Sequence, residues 1–235
     1  MKILGIDFGT VRIGLAIQIE GIEIPLETIE HRDYRKSLKE IFSQREIDLT
    51  VIGLPLSMSG RFNQLAMKVV AFAEKVKKIF PGRVILTDER LTTKSSERIA
   101  KDSGLSFSTR RDILSAMEIL RNYSRGTTVN WEVRDLFPVC RNFPPIDAGK
   151  KALLYAPLSS KIVGLDSTKE MDVYVEDPQI YLSFVKKGFK PKNLLDDIDF
   201  STYDIIVITE GAELPASSIE PADNCAVYMC SWLNG

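Results

Sequence analysis

The sequence predicts a mixed α/β domain, in which an antiparallel meander feeds parallel strands covered by helices, followed by a second, smaller α/β domain. Three observations predict it. Apolar runs of strand length at 2–8, 12–20 and 22–30 are joined by connections short enough only for hairpins. Between residues 31 and 125 the periodicity alternates between helix and strand. After an aperiodic stretch with Pro138, Pro144 and Pro145, strand-length apolar runs begin again at residue 152.

Each element has its own justification. Phe8-Gly9-Thr10-Val11 is a tight connection between the first two strands, and Gly21 turns the chain into the third. Tyr34, Leu38, Ile41 and Phe42 recur at helical spacing among charged residues. Leu49–Leu54 is a short apolar strand ended by Pro55. Residues 63–79 place Leu65, Val69, Phe72, Ala73 and Val76 on one helical face, and Pro81-Gly82 stops the helix. Val84-Ile85-Leu86 is a further buried strand, residues 94–102 read as a helix ending at Gly104, and Ser108 or Thr109 caps a last helix to about Tyr123. The domains expected are therefore 1–126, a linker or packing arm at 127–149, and an acidic α/β domain at 150–235 with a helix near 178–187.

The composition sets outer bounds. Of 235 residues, 44% are hydrophobic and 27% charged, and no apolar run is long enough to span a bilayer. Asp7 interrupts the apolar N-terminus and no small-residue cleavage site follows, so the expected location is the cytoplasm, with no membrane partner. Cys140, Cys225 and Cys230 fit no zinc spacing and read as reduced thiols, Cys225 and Cys230 being near enough in sequence to approach each other. The net charge of −1 hides an asymmetry: residues 1–149 carry 23 Lys and Arg against 19 Asp and Glu, whereas residues 150–235 carry 8 Lys against 13. A basic first part suits a polyanion, because neutralising phosphates supplies the sequence-independent part of nucleic-acid affinity.

Three acidic sites fall at element ends. Asp7 sits in an otherwise apolar strand, where an unpartnered charge is costly to bury. Asp88-Glu89 closes the last parallel strand, and Asp112 lies in the first turn of the last helix. Brought together, such carboxylates form a hard-oxygen site for Mg²⁺ or Mn²⁺, suited to phosphodiester cleavage. Taken singly, Asp88 and Glu89 fit a solvated turn and Asp112 fits a helix N-terminus. Arg12, Arg90, Arg110 and Arg111 lie close in sequence to these acids and are candidates either for ion pairs or for phosphate contacts. His31, the only histidine, sits at a strand end, so histidine-based catalysis has little support.

Four segments give these residues a common setting. Gly5-Ile6-Asp7-Phe8-Gly9-Thr10-Val11-Arg12-Ile13-Gly14 resembles the opening motif of the YqgF family, also called RuvX, whose members are related to the RuvC Holliday junction resolvases. Gly53-Leu54-Pro55-Leu56 with Gly60 resembles its second motif, Asp88-Glu89-Arg90-Leu91-Thr92-Thr93 its third, and Asp112 with Ala116, Ile119 and Leu120 its final helix. The resemblance covers about residues 1–125 and implies a ribonuclease H-like fold. It also implies a metal-dependent nuclease acting on structured nucleic acid, with precursor 16S ribosomal RNA as the expected substrate and branched DNA of the Holliday junction type as the alternative. Carried over, Asp7, Glu89 and Asp112 become catalytic carboxylates holding Mg²⁺ or Mn²⁺. Arg12 and Arg90 become phosphate contacts, with Arg110 and Arg111 as further candidates. Ser57, Ser59, Arg61-Phe62, Ser115 and Arg121 depart from the family pattern, and residues 127–235 resemble nothing in it. Two other classes stay open: a non-catalytic nucleic-acid or protein binding module, and an actin-type nucleotide hydrolase, which requires two similar cores.

Overall fold

The structure, a computed structural model, describes residues 1–90, 107–166, 170–215 and 225–233. The chain divides into two compact units, Met1–Asp135 and Leu136–Gly235. The helix expected over 94–102 lies outside the described residues.

In unit 1, β1 (Lys2–Phe8), β2 (Arg12–Ile19) and β3 (Ile22–Glu30) form the expected meander. The β2–β3 turn is made by Glu20 and Gly21, with φ of 51° and 82°, as a two-residue hairpin matched to strand twist demands. The helix α1 (Tyr34–Arg45) leads to β4 (Leu49–Leu54), α2 (Gln64–Lys77), β5 (Arg83–Asp88), α3 (Phe107–Ser124) and β6 (Asn130–Glu132). The Asn63 side chain caps α2 by accepting from the Ala66 amide at 2.8 Å. The six strands lie in the order β3-β2-β1-β4-β5-β6, with β4 and β5 parallel to β1 and the rest antiparallel to their neighbours.

The two faces of this sheet are built differently. On one, Phe8 meets Phe72 of α2 at 4.9 Å between ring centroids, and Phe72 meets Tyr34 of α1 at 5.0 Å. His31 also belongs to this aromatic group, edge-on to Phe8 at 5.3 Å, so the lone histidine is half-buried and packs against the core. The other face is covered by α3, whose Ala116, Ile119 and Leu120 pack on Ile3, Ala16, Leu49, Val51 and Ile85. On β1 and β2 this face carries Gly5, Gly14 and Ala16, which lets α3 come close. A Cβ on Gly5 would stand 2.6 Å from Leu120 Cγ and 2.7 Å from the Ala116 carbonyl, and one on Gly14 would stand 2.1 Å from the Asp112 carbonyl.

The stretch 127–149, expected as a linker or arm, carries two short strands. Its first part supplies β6, which pairs with β5 through Ile85, Leu86 and Thr87. Its later part supplies β7 (Val139–Cys140) of unit 2. The compact units accordingly divide after Asp135.

Unit 2 contains β8 (Ala152–Tyr155), β9 (Met171–Tyr174), α4 (Pro178–Lys186), β10 (Ile205–Thr209), β11 (Ala226–Cys230) and β12 (Trp232–Leu233). Asp177 caps α4 by accepting from the Gln179 and Ile180 amides at 2.8 and 3.1 Å, and Pro178 starts the helix where its missing N–H is harmless. Its main sheet, in the order β11-β10-β8-β9, is parallel throughout, and β12 pairs with β7 in a second, antiparallel ribbon. Residues 162–165 form no strand, and Ile162 makes an isolated parallel bridge to Cys140. The three cysteines are free thiols, and buried Cys230 lies against buried Cys140. Among the described residues, no helix is long and apolar enough to cross a membrane.

The close approach of α3 makes Gly5 a sensitive position. Gly5→Val should destabilise unit 1 by about 1–3 kcal/mol, the usual cost of overpacking a filled interior. Urea unfolding followed by the circular dichroism of the full chain measures it, and an unchanged midpoint would mean that the helix has room to retreat.

Candidate active site

Strand alternation decides which acids share a face. On β1, Ile3, Gly5 and Asp7 point toward α3, and on β5, Ile85 and Thr87 do so; Glu89 continues that series. Asp88 continues the opposite series and is turned away. Both Asp88 oxygens are held by Arg90, with Nη2 at 2.7 Å and Nε at 2.9 and 3.2 Å, and Asp88 Oδ1 also accepts from the Arg90 amide at 2.9 Å. Asp88 is therefore a structural anchor for the end of β5, and Arg90 is committed to it.

Asp7 and Glu89 come from β1 and β5, with β4 between them. They approach because β4 has a glycine at the crossing point. A Cβ on Gly53 would stand 1.6 Å from Glu89 Oε1 and 2.7 Å from Ile119 Cδ1, so the Glu89 carboxyl occupies the space of a missing side chain. The Glu89 amide donates to the Leu54 carbonyl at 3.2 Å, which extends the ladder one residue past β5 and fixes the direction of the side chain.

Asp112 reaches the same place from the helix. Asp7 is paired with Gly14 across the β1–β2 ladder, and the Asp112 backbone rests on Gly14. One turn further along α3, Ser115 hydrogen-bonds Asp7, and buried Glu118 lies within electrostatic reach of Glu89.

The electrostatics follow from this crowding. Burial raises the Asp7 carboxyl to about 6, helped by Asp112 and opposed by Arg111 and the Ser115 hydrogen bond. Burial raises Glu89 further, to about 8, helped by Asp7, Asp88 and Glu118. Asp112 differs in having cations at hand: Arg12 Nε lies 3.5 Å from its Oδ2 and Arg111 Nε 4.0 Å from its Oδ1. As placed, no three acidic, histidine or cysteine side chains among the described residues stand close enough together to enclose an ion. Asp7 and Glu89 face each other, and Asp112 is drawn to the arginines.

Of the residues singled out from sequence, Asp7, Glu89, Asp112, Arg12 and Arg111 are thus gathered at one place. Arg90 is diverted to Asp88, and Arg110 is half-buried at the start of α3. Sequence reasoning placed Gly53 in a family motif and Ser115 among the departures without giving either a role, and it passed over Glu118. A signal existed for the last two, since 112, 115 and 118 run along one helical stripe. The role of Gly53 was not legible, because it depends on which strand lies between β1 and β5.

A meander joined to parallel strands, with acids of β1, β5 and a covering helix on one face, is the arrangement that the resemblance to a nuclease family led us to expect. The profile of the RuvX family, described as Holliday junction resolvase, matches residues 1–125, and the chain belongs to that family. A Protochlamydia amoebophila protein named as a candidate pre-16S rRNA nuclease is 43% identical over 137 residues, spanning 52% of this chain and 91% of that protein. One of the same name from Thermoanaerobacter pseudethanolicus is 35% identical over 132 residues, spanning 52% and 95%. A Thermotoga maritima protein, also so named, is 29% identical over 187 residues, spanning 80% of this chain, a larger share than unit 1 contains, and 78% of its own length. Thermus thermophilus RuvC in complex with a Holliday junction substrate aligns with 56% of this chain and 99% of its own, at a TM-score of 0.41 and 16% identity.

The raised acids give a pH-dependent stability. An acid whose folded pKa exceeds its unfolded value favours folding while protonated, and that contribution is lost as pH rises through the folded pKa. In EDTA, the melting temperature of the wild type should therefore fall between about pH 4 and about pH 8, the window set by Asp7 and Glu89. Glu89→Gln should flatten this fall and melt higher than wild type at the alkaline end. Equal slopes by differential scanning calorimetry would show that the Glu89 carboxyl is not strained by its surroundings.

Proposed function

We propose that unit 1 is a divalent-metal-dependent nuclease in which Asp7, Glu89 and Asp112 hold Mg²⁺ or Mn²⁺, and that its substrate is the precursor of 16S ribosomal RNA. The observation that carries this is the meeting of Asp7 and Glu89 over Gly53, where both carboxyls are raised well above their usual range. Acids that repel each other in a half-buried place are stabilised by a cation. Carboxylate oxygens suit a hard ion, and the Gly53 recess leaves room for the Glu89 carboxyl to turn toward one.

A divalent ion held there supplies Lewis-acid stabilisation of charge on a phosphate and acidifies an attacking water. The chain's residues do the rest. Ser115 fixes the Asp7 carboxyl, the β5 ladder fixes Glu89, and Gly14 fixes the helix start that carries Asp112. Arg12 and Arg111, beside these acids, are the cations placed to contact a substrate phosphate. Arg90 contributes through Asp88 by holding the end of β5. The RNA substrate, the cytoplasmic setting that goes with it and the choice of metal rest on the names of the relatives and on the chemistry of the donors.

Branched DNA is the second reading, favoured by the description of the family. An actin-type nucleotide hydrolase is disfavoured, because the main sheet of unit 2 is parallel throughout and so does not repeat the antiparallel meander of unit 1.

The test is cleavage of a precursor 16S RNA fragment and of a four-way DNA junction, each with Mg²⁺, Mn²⁺ or EDTA. Metal-dependent cleavage of the RNA is expected, abolished by Asp7→Asn, Glu89→Gln and Asp112→Asn in proteins that keep their circular dichroism. Preference for the junction would replace the RNA reading, and binding without cleavage in either metal would make the domain a binding module. Gly53→Ala should lower the cleavage rate by about a hundredfold, as expected when a catalytic group is displaced by about an ångström. A rate within twofold of wild type would show that the recess is dispensable.

A further inference from the structure

Among the described residues, Asp112 is the member of the carboxylate set that stands in ion pairs. Arg12 opens β2 on the same face as Gly14 and Ala16, so its side chain rises toward the start of α3. Its Nε stands 3.5 Å from Asp112 Oδ2, in a pair that is partly shielded, the two side chains being 32% and 18% exposed. That Nε is nevertheless buried without a hydrogen-bond partner. The guanidinium therefore offers Asp112 its charge without the forked hydrogen bonds that make arginine–carboxylate pairs strong. The contrast with Arg90 is internal to the domain: Arg90 grips Asp88 through Nε and Nη2 at 2.7 to 3.2 Å.

We infer that Arg12 is a built-in counter-cation for Asp112, holding that carboxylate in the absence of metal and giving it up when a divalent ion binds. The inference rests on the proposed metal site. It accounts for two facts at once: the three acids do not enclose a common point as placed, and the Arg12 pair is loosely made. A fully bonded pair would compete too well with the ion, and without the pair Asp112 would be left to the distant, exposed Arg111. A loose pair avoids both. Once displaced, the guanidinium stands beside the site with its donors unused, placed for a phosphate of the substrate. Toward the metal Arg12 acts through Asp112 as a positioning residue, a role separate from its proposed contact with a substrate phosphate.

The experiment is Mn²⁺ binding to the full chain, measured by calorimetry and by the loss of free-ion electron paramagnetic resonance signal, for wild type, Arg12→Gln and Arg111→Gln. Removing the competitor should tighten Mn²⁺ binding by about threefold, the scale of a partly exposed ion pair. Arg111→Gln, which removes an equal charge from a side chain that is 72% exposed and 4.0 Å from the same carboxylate, should tighten it less. Damage to the fold weakens binding, so tightening cannot come from misfolding. Equal tightening in both variants would reduce the effect to net charge and overturn the inference. Unchanged or weaker binding in Arg12→Gln, with wild type binding normally, would overturn it while leaving the metal site standing. No Mn²⁺ binding by any of the three would overturn both.

Discussion

The close packing of α3 on the sheet is the constraint on which the rest of unit 1 depends. Gly5, Gly14 and Ala16 leave the strands nearly bare on that face, and the helix descends until its backbone touches them. Close packing of this kind leaves little freedom to slide. The same contact that fills the core therefore also sets the height and rotation of Asp112, Ser115 and Glu118 above the strand ends. Fold stability and site geometry are one interaction here, since the Asp112 backbone rests on Gly14 and Gly14 is paired with Asp7.

A second constraint is the strand between the two buried acids. β1 and β5 are not neighbours, and their carboxyls meet only because β4 presents Gly53 at the crossing. The result is an arrangement in which acidic groups are held together by the surrounding packing, at a cost in stability. Functional sites often carry such local conflicts, which the remaining structure tolerates. The arginines moderate this conflict unequally. Arg90 removes Asp88 from it by a tight clamp, whereas Arg12 compensates Asp112 loosely.

Unit 2 is a different kind of object. Its parallel strands are buried runs such as Ile205–Thr209, and its α4 is properly capped and started. Most of the acidic charge excess of the chain lies there. The alignment with the Thermotoga maritima protein extends into this region, beyond the residues matched by the family profile.

The sequence by itself determined the order of elements from β1 to β5 and the last helix, because helical and strand periodicities differ and are written locally in Tyr34–Phe42, Leu49–Leu54 and 63–79. It also marked Asp7, since an acid inside Ile3–Phe8 is out of place in an apolar strand. The ordered motifs then supplied Glu89 and Asp112 through their resemblance to a family. The tertiary structure gives the physical reason for preferring Glu89 to Asp88, which the resemblance alone had chosen: the phase of β5 turns Glu89 toward α3 and Asp88 away. Only it showed that Gly53 makes room for Glu89, that residues 130–132 add a sixth strand, and that Arg12 sits on Asp112. Each of these depends on which distant segments become neighbours. Local periodicity carries no information about that, because strand order and helix height are set by packing between residues far apart in the chain.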